Sequence, residues 1–413
     1  MDTDVVIAGA GIAGCTAAIL YGRAGLRVVL VEKHRSATTA KTLCGHYILA
    51  GTEPTLRRLG LWDRMLAEGA RAGVPAVHGA AGWMVPTGAD LPAAISLRRS
   101  RLDPMLRAAA ATTPGVRVML GTTVTGLLDD GGHVHGLEVR EHDGARHRVG
   151  ARLVVGADGH RSAVARLAGA REDVADNQRF LYWAYYRGVV PRGPGSAQIW
   201  RLDDHVVVAT PTDDGLTLLG AFPTKEHLAA FRADRVAALE SFLARVPDGP
   251  DLSGAERVSP VIGTADYPII RRDPVPRPGL ALVGDAAMVG DPVPAVGCGW
   301  AFRSAEWLAD ATTGPLADLR AGTGGERGLA RALRRYRRAH RFAERHDRLD
   351  RDDARALPPN AVQRAIRTAA VHDPWVARRV YRFAMRAAPV TGLLNPVVVA
   401  RSAWVARSAP AVR

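Results

Sequence analysis

Only three lysines and three cysteines occur among the 413 residues of this chain. The cysteines, Cys15, Cys44 and Cys298, are odd in number and far apart. They build no disulfide framework and match no metal-ligand spacing, a usage that suits a reducing cytoplasm. No run approaches the roughly 20 apolar residues of a membrane-spanning helix. The N-terminal residues Met1-Asp2-Thr3-Asp4 are acidic and lead straight into an apolar run, unlike a targeting segment. Positive charge therefore rests almost wholly on arginine, and it is uneven. Residues 326–413 carry 20 Arg against 7 Asp plus Glu, a net of +13 that leaves +1 for the first 325 residues. That region lacks aromatics interleaved for base stacking, which speaks against nucleic acid. An anionic membrane surface or an acidic carrier protein fits the asymmetry better, and so does a plain solvated arginine face. Oligomeric state is not legible.

What the chain does have stands out at its start. Residues 4–35 read as strand, glycine-rich turn, helix and strand. Asp4–Ala8 is apolar and feeds into Gly9-Ala10-Gly11-Ile12-Ala13-Gly14, a helix-forming run spans Cys15–Ala24, and Val28–Val31 ends on Glu32. The physical roles divide cleanly. Gly9 makes the tight turn, Gly11 admits a pyrophosphate, and Gly14 lets helix and strand pack closely, while the helix N-terminus offers N–H groups to phosphate. Glu32 is placed to accept hydrogen bonds from ribose hydroxyls, with Lys33 beside it. NAD, NADP and FAD all suit this unit alone.

Two later segments bear on the choice. Residues 151–164 form an apolar strand ending in Asp158-Gly159, and residues 279–287 another ending in Gly284-Asp285. Carboxylates at the carboxyl ends of parallel strands lie where ligands sit in open α/β sheets. In this order the three segments resemble FAD-dependent monooxygenases of the p-hydroxybenzoate-hydroxylase-like superfamily, which also holds geranylgeranyl reductases and flavin halogenases. The resemblance extends to Arg99-Ser100-Arg101-Leu102-Asp103 with Leu106. It also covers the loop Asp291-Pro292-Val293-Pro294-Ala295-Val296-Gly297-Cys298-Gly299, similar to the one that runs under the isoalloxazine ring. It implies FAD as cofactor, with Gly9, Gly11, Ile12, Ala13, Gly14, Glu32, Lys33, Arg99, Val124, Asp158, Gly159, Gly284, Asp285, Pro292, Gly297, Cys298 and Gly299 around it. Candidate catalytic residues are His46, Tyr186 and Pro292. Cys298 reads as a packing residue, a redox-sensitive thiol or a covalent flavin attachment point, and His46 as a proton donor, a substrate contact or a solvated loop residue.

The implied fold is α/β. It has a Rossmann-like FAD-binding domain (1–75, 97–175 and 259–320), an inserted antiparallel substrate sheet (76–96 and 176–258) and a basic helical region (321–413). In the sheet, Leu181–Arg187 alternates Tyr182, Ala184 and Tyr186 against Trp183, Tyr185 and Arg187, and one of those faces is expected to line the pocket. Helices are expected over Glu53–Ala67 and Lys225–Arg245, and the tail Pro389–Ala411 is expected to pack back on the body. The implied reaction is oxygen transfer through a flavin C4a-hydroperoxide to an apolar aromatic or polyketide-like small molecule of secondary metabolism, free or carrier-bound. Alkene reduction or a redox-silent cyclase role is the alternative. Halogenation fits poorly, since neither Lys33 nor Lys225 suits the tunnel lysine and the Trp-x-Trp-x-Ile-Pro signature is missing. No second glycine fingerprint is present, so NAD(P)H as a transient reductant and a separate flavin reductase both stay open.

Overall fold

The computed structural model describes residues 3–202 and 205–409. Strands β1 (Thr3–Ala8) and β2 (Val28–Glu32) are buried along almost their whole length, the pattern of parallel strands covered on both faces. Between them, helix α1 (Ile12–Arg23) begins ahead of Cys15, because extended Gly11 closes the turn and serves as its N-cap. Helix α2 (Arg99–Ala111) and strand β3 (Val116–Leu120) follow. Strands β4 (Thr122–Asp129), β5 (Val134–Glu141) and β6 (Arg146–Gly156) then form a meander that ends at the short helix α3 (Ala163–Leu167). Strand β6 is shared. Its first half pairs antiparallel with β5, Arg140 opposite Arg146, and its second half parallel with β1, Val5 opposite Leu153.

A second sheet is built from β7 (Leu181–Arg187), β8 (Gln198–Arg201), β9 (His205–Pro211) and β10 (Leu216–Pro223), backed by helix α4 (Arg235–Leu243). The short strands Ala76–Gly79 and Gly82–Met84 extend its far edge. The chain then returns through β11 (Leu280–Leu282), which pairs with β6 and completes a parallel sheet in the order β3-β2-β1-β6-β11. Helices α5 (Val296–Ala321), α6 (Glu326–Asp353), α7 (Ala361–His372), α8 (Pro374–Ala384) and α9 (Pro396–Ser408) finish the molecule.

The parallel sheet is the middle of three layers. Val5, Ile7, Leu30, Leu153 and Val155 face α1, α2 and α5 through Ile19, Leu102, Phe302 and Leu308. Val6, Val29, Val31 and Val154 face the meander and α3 through Leu137, Val139, Val149 and Val164. Each large apolar side chain so buried stabilises the fold by about 1.5–3 kcal/mol. In the second sheet the side-chain period of two sends Tyr182, Ala184 and Tyr186 against Phe231, Leu239 and Phe242, while Leu181 and Trp183 emerge opposite, beside Leu218.

Local chemistry breaks two of the expected helices. The 225–245 stretch is interrupted at Asp234, which is extended, and its carboxylate accepts hydrogen bonds from the N–H groups of Val236 and Ala237 to cap α4. The 53–67 stretch is two short helices, Glu53–Arg58 and Trp62–Ala67. The tail packs back on the body. Val398 of α9 meets Ile366 of α7 and Leu393, and Arg401 pairs with Asp373 at 2.6 Å. Residues 410 and 411, part of the expected tail, lie outside the described residues. The end of α8 is tied to the body as well: the carbonyl of Met385, just past the helix, accepts from the N–H of Gly51 at 2.8 Å, and the Tyr381 hydroxyl donates to the carbonyl of Pro92. No described helix is long and apolar enough to cross a membrane.

Candidate active site

A cleft of about 1460 Å³ opens where the carboxyl ends of β1, β6 and β11 meet the free face of the second sheet. Gly11, Ile12 and Ala13 line it from the first turn, and Ala157 and Gly159 from the end of β6. Asp285 enters from the end of β11, and Leu181, Trp183, Val208 and Leu218 form the opposite wall.

The glycine turn is closed by contact. Gly9 has φ +102°, and a Cβ there would lie 2.5 Å from the carbonyl oxygen of Ala157. A Cβ on Gly14 would lie 1.8 Å from the carbonyl oxygen of Gly9, so the first turn of α1 rests directly on the loop. At Gly11 a Cβ meets nothing within 4 Å. That open space above a helix N-terminus is the cradle a pyrophosphate fills. Glu32 is buried and works inside the turn as well, accepting from the N–H of Ala10 at 2.7 Å and of His34 at 3.0 Å.

Helix α2 fastens the loop of residues 33–46 onto this cradle. Arg99 donates to Asp103 at 2.6 Å, Asp103 accepts from the backbone N–H of Lys41 at 3.0 Å, and Arg107 donates to the carbonyl of Ala10 at 3.0 Å and to those of Ala37 and Thr39. Lys41, whose side chain the sequence reading left unassigned, lines the cleft and pairs with Asp285 at 2.9 Å. That carboxylate holds the ammonium above the ordinary lysine range. The loop also brings Cys44 to 3.5 Å from Cys298, sulfur to sulfur.

The N-terminus of α5 faces the cleft through Val296, Gly297 and Cys298, with no side-chain cap and no acid in its first turn. Unpaired N–H groups of a 26-residue helix make that end favourable for negative charge by about 0.3–1 kcal/mol. Beside it Asp291 is buried, accepting from Asn177 at 3.1 Å and Val293 at 3.3 Å. Burial raises its carboxyl to about 6, against the lowering influence of Arg179.

On the opposite wall His46 is 2% exposed and left-handed, φ +43°. Its Nε2 lies 2.7 Å from the hydroxyl of Tyr185, whose ring stacks on it. Burial is the main cause that raises the Tyr185 phenol above its usual range. His46 is therefore no solvated loop residue. Four buried polar atoms on residues lining the cleft have no hydrogen-bond partner: His46 Nδ1, the Tyr47 hydroxyl, Trp183 Nε1 and Asp291 Oδ2. Such atoms cost about 1–3 kcal/mol each when left unpaired, so they fit a ligand that supplies partners.

The structure thus brings Gly11, Ile12, Ala13, His46, Arg99, Gly159, Asp285, Pro292, Gly297 and Cys298 to one cleft. Tyr186 is corrected: it packs with Phe231 and Phe242 on the α4 side of the sheet, and its neighbour Tyr185 is the one that reaches His46. Asp158 is spent locally, accepting from Ser162 at 2.5 Å and from the N–H of Ala163 at 2.7 Å to start α3. Gly299 faces Thr52 across a close helix contact, and Gly284 makes the turn after β11 and donates to Ser304. Lys33 is exposed just past β2, and Val124 packs beside the cluster of Val29 and Val31. Tyr185 and Asp291 stand in the strand and the loop that the sequence points to, without roles of their own there, whereas the role of the Lys41 side chain is missed. Only the position of Lys41 in the segment leading to His46 hinted at it.

Comparison with known proteins agrees with this layout. A family model described as FAD binding domain matches residues 2–232. The kynurenine 3-monooxygenase of Salinispora arenicola is 30% identical over 346 residues, 75% of this chain and 72% of that protein. The 6-methylpretetramide 4-monooxygenase of Streptomyces rimosus is 30% identical over 313 residues, 73% of each. Among solved structures, a flavin-dependent brominase superposes with a TM-score of 0.78 at 20% identity over 98% of both chains, a likeness of fold.

Proposed function

The chain belongs to the FAD binding domain family, within the superfamily of FAD monooxygenases, geranylgeranyl reductases and flavin halogenases, and from that premise we propose that this FAD-dependent oxidoreductase is a monooxygenase of an apolar aromatic or polyketide-like small molecule. The observation that carries the reading is His46, a cleft-lining imidazole held by the Tyr185 hydroxyl, in the cleft whose sheet wall is the apolar set Leu181, Trp183, Val208 and Leu218. Bound FAD supplies two-electron transfer and, when reduced, the capacity to activate O₂. The residues present fit it. Gly11 leaves open space for the pyrophosphate in the turn that Gly9 and Gly14 close by contact, Glu32 braces that turn, and Arg99, Lys41 and Asp285 flank the path toward the α5 N-terminus.

The chain's own groups do the rest. Leu181, Trp183, Val208 and Leu218 exclude water from the substrate side. His46 holds a proton position at the cleft wall, and Tyr185 fixes its ring. The α5 N-terminus favours the anionic state of whatever ring it faces. Asp291 gives weight to a second reading, alkene reduction, since a carboxyl raised to about 6 can surrender the proton such a reduction consumes.

Anaerobic titration with NADPH, followed by air and a panel of aromatic substrates, tests the reading. The expected result is a yellow protein whose visible band bleaches, recovers in air and yields an oxygenated product with matching O₂ uptake. Substrate reduction without O₂ uptake would replace it with alkene reduction. Bleaching only after adding a flavin reductase would make that reductase, rather than NAD(P)H, the direct donor.

Delivery of the substrate on an acidic carrier protein belongs to the same reading. Arg331, Arg334, Arg335, Arg338 and Arg341 lie exposed along one face of α6 and make no ion pair among the described residues, whereas Arg337 is held by Asp273 at 2.8 Å. Unpaired like charges on one face cost little when a polyanion covers them. Reversing Arg334, Arg338 and Arg341 to Glu is expected to weaken carrier binding at least ~10-fold at low salt, with turnover of free substrate unchanged. Equal carrier binding by the variant in a calorimetric titration removes the carrier.

A further inference from the structure

The two cleft-lining cysteines come from distant parts of the chain. Cys44 sits in the loop that α2 clamps down, and Cys298 in the first turn of α5, with their sulfurs 3.5 Å apart. A disulfide needs about 2 Å between sulfurs, so a small rotation of the two side chains closes it. The surroundings favour a thiolate at Cys44. The Arg99 guanidinium approaches its sulfur at 3.6 Å, and the backbone N–H of His46 donates to it at 3.3 Å. Both side chains line the cleft, which gives small oxidants a path. Cys15 differs in each respect: it is fully buried in the core of the parallel sheet, and burial pushes its thiol up to about 12.

We propose that Cys44 and Cys298 are a redox-active dithiol that hydrogen peroxide converts to a disulfide across the cleft. The Cys44 thiolate attacks one peroxide oxygen, the O–O bond breaks, and the departing hydroxide takes the proton the thiol gave up, leaving a sulfenic acid and one water. The Cys298 sulfur then attacks the Cys44 sulfur. The S–S bond forms, the S–O bond breaks, and hydroxide leaves with the Cys298 proton as a second water. Two thiols are oxidised and one peroxide is reduced. A nearby cationic group and access to solvent are the conditions that make a cysteine react this way, and a resolving partner in contact diverts the sulfenic acid from over-oxidation. Reduced flavin bound here would be one source of peroxide in the absence of substrate, and the thiol geometry stands whichever substrate the cleft takes. The disulfide would tie the loop of residues 33–46 to the start of α5, the two walls between which a cofactor must pass.

Thiol counting tests it without any turnover. The full-length protein, as purified and after FAD removal, is treated with a small excess of peroxide, denatured, alkylated with iodoacetamide and weighed. The expected result is a fall from three alkylated cysteines to one, a cross-linked peptide pair containing Cys44 and Cys298, and recovery of three after dithiothreitol. In C298S, peroxide should instead carry Cys44 on to sulfinic acid. Three thiols surviving in both forms of the protein, a cross-link to Cys15, or sulfinic acid on Cys44 of the unsubstituted protein would overturn the proposal.

Discussion

Gly14→Val yields a protein that leaves gel filtration with less than about a tenth of its FAD. The side chain has nowhere to go, because even its Cβ would stand 1.8 Å from the Gly9 carbonyl oxygen. Relief requires α1 to lift off the loop, and the loop cannot follow, since Gly9 is itself wedged against Ala157. Forced overpacking of this kind costs about 1–3 kcal/mol, occasionally more, so melting should drop as well as cofactor content. Gly11→Ala separates the two effects. Its Cβ meets nothing in the protein, so the FAD-stripped variant should melt with the unsubstituted chain. The added methyl instead occupies the space of the phosphates, and FAD affinity should fall at least ~10-fold. Full FAD content in Gly14→Val would mean that the cradle is not where the cofactor sits.

His46→Asn should lower turnover about 100-fold while FAD content is preserved. Positioned acid–base groups contribute about 10²–10⁴-fold, and Asn tolerates the left-handed backbone that His46 adopts, so the loss reports the imidazole rather than the loop. Tyr185 acts through His46 and is a positioning residue. Tyr185→Phe keeps the stacked ring but removes the hydroxyl from Nε2, so a smaller loss is expected, together with a displaced limb in the pH profile of kcat/KM. The double variant should lose no more than His46→Asn alone, because the two act as one unit. An unchanged pH profile in Tyr185→Phe, or additive losses, would assign both residues to packing.

Local signals in the chain revealed the glycine turn, Glu32 and the strand ends at Gly159 and Asp285, because each is a matter of a few neighbouring residues. Contacts between remote segments were out of reach. Lys41 meets Asp285 across 244 positions, and no pattern within either segment announces the pair. The alternation in Leu181–Arg187 was legible, but not which set faces the cleft. That is decided by Phe231, Leu239 and Phe242, which arrive later in the chain and cover Tyr182, Ala184 and Tyr186. Asp158 shows the opposite case, a residue assigned to a ligand whose oxygens are claimed by its own helix start four and five residues on.

Strand β11 and helix α5 belong to the parallel sheet and yet follow the whole second sheet in the chain. During synthesis, then, the βαβ unit waits on the ribosome while more than half of the polypeptide emerges. Ile7 lacks the cover of Phe302 and Leu308 for all of that time, and Val155 from its own synthesis onward. Pairings this distant close slowly, and an uncovered apolar sheet face is what chaperones recognise and what aggregates. The yield of folded protein should therefore rise when the nascent chain is kept apart from its neighbours until α5 appears.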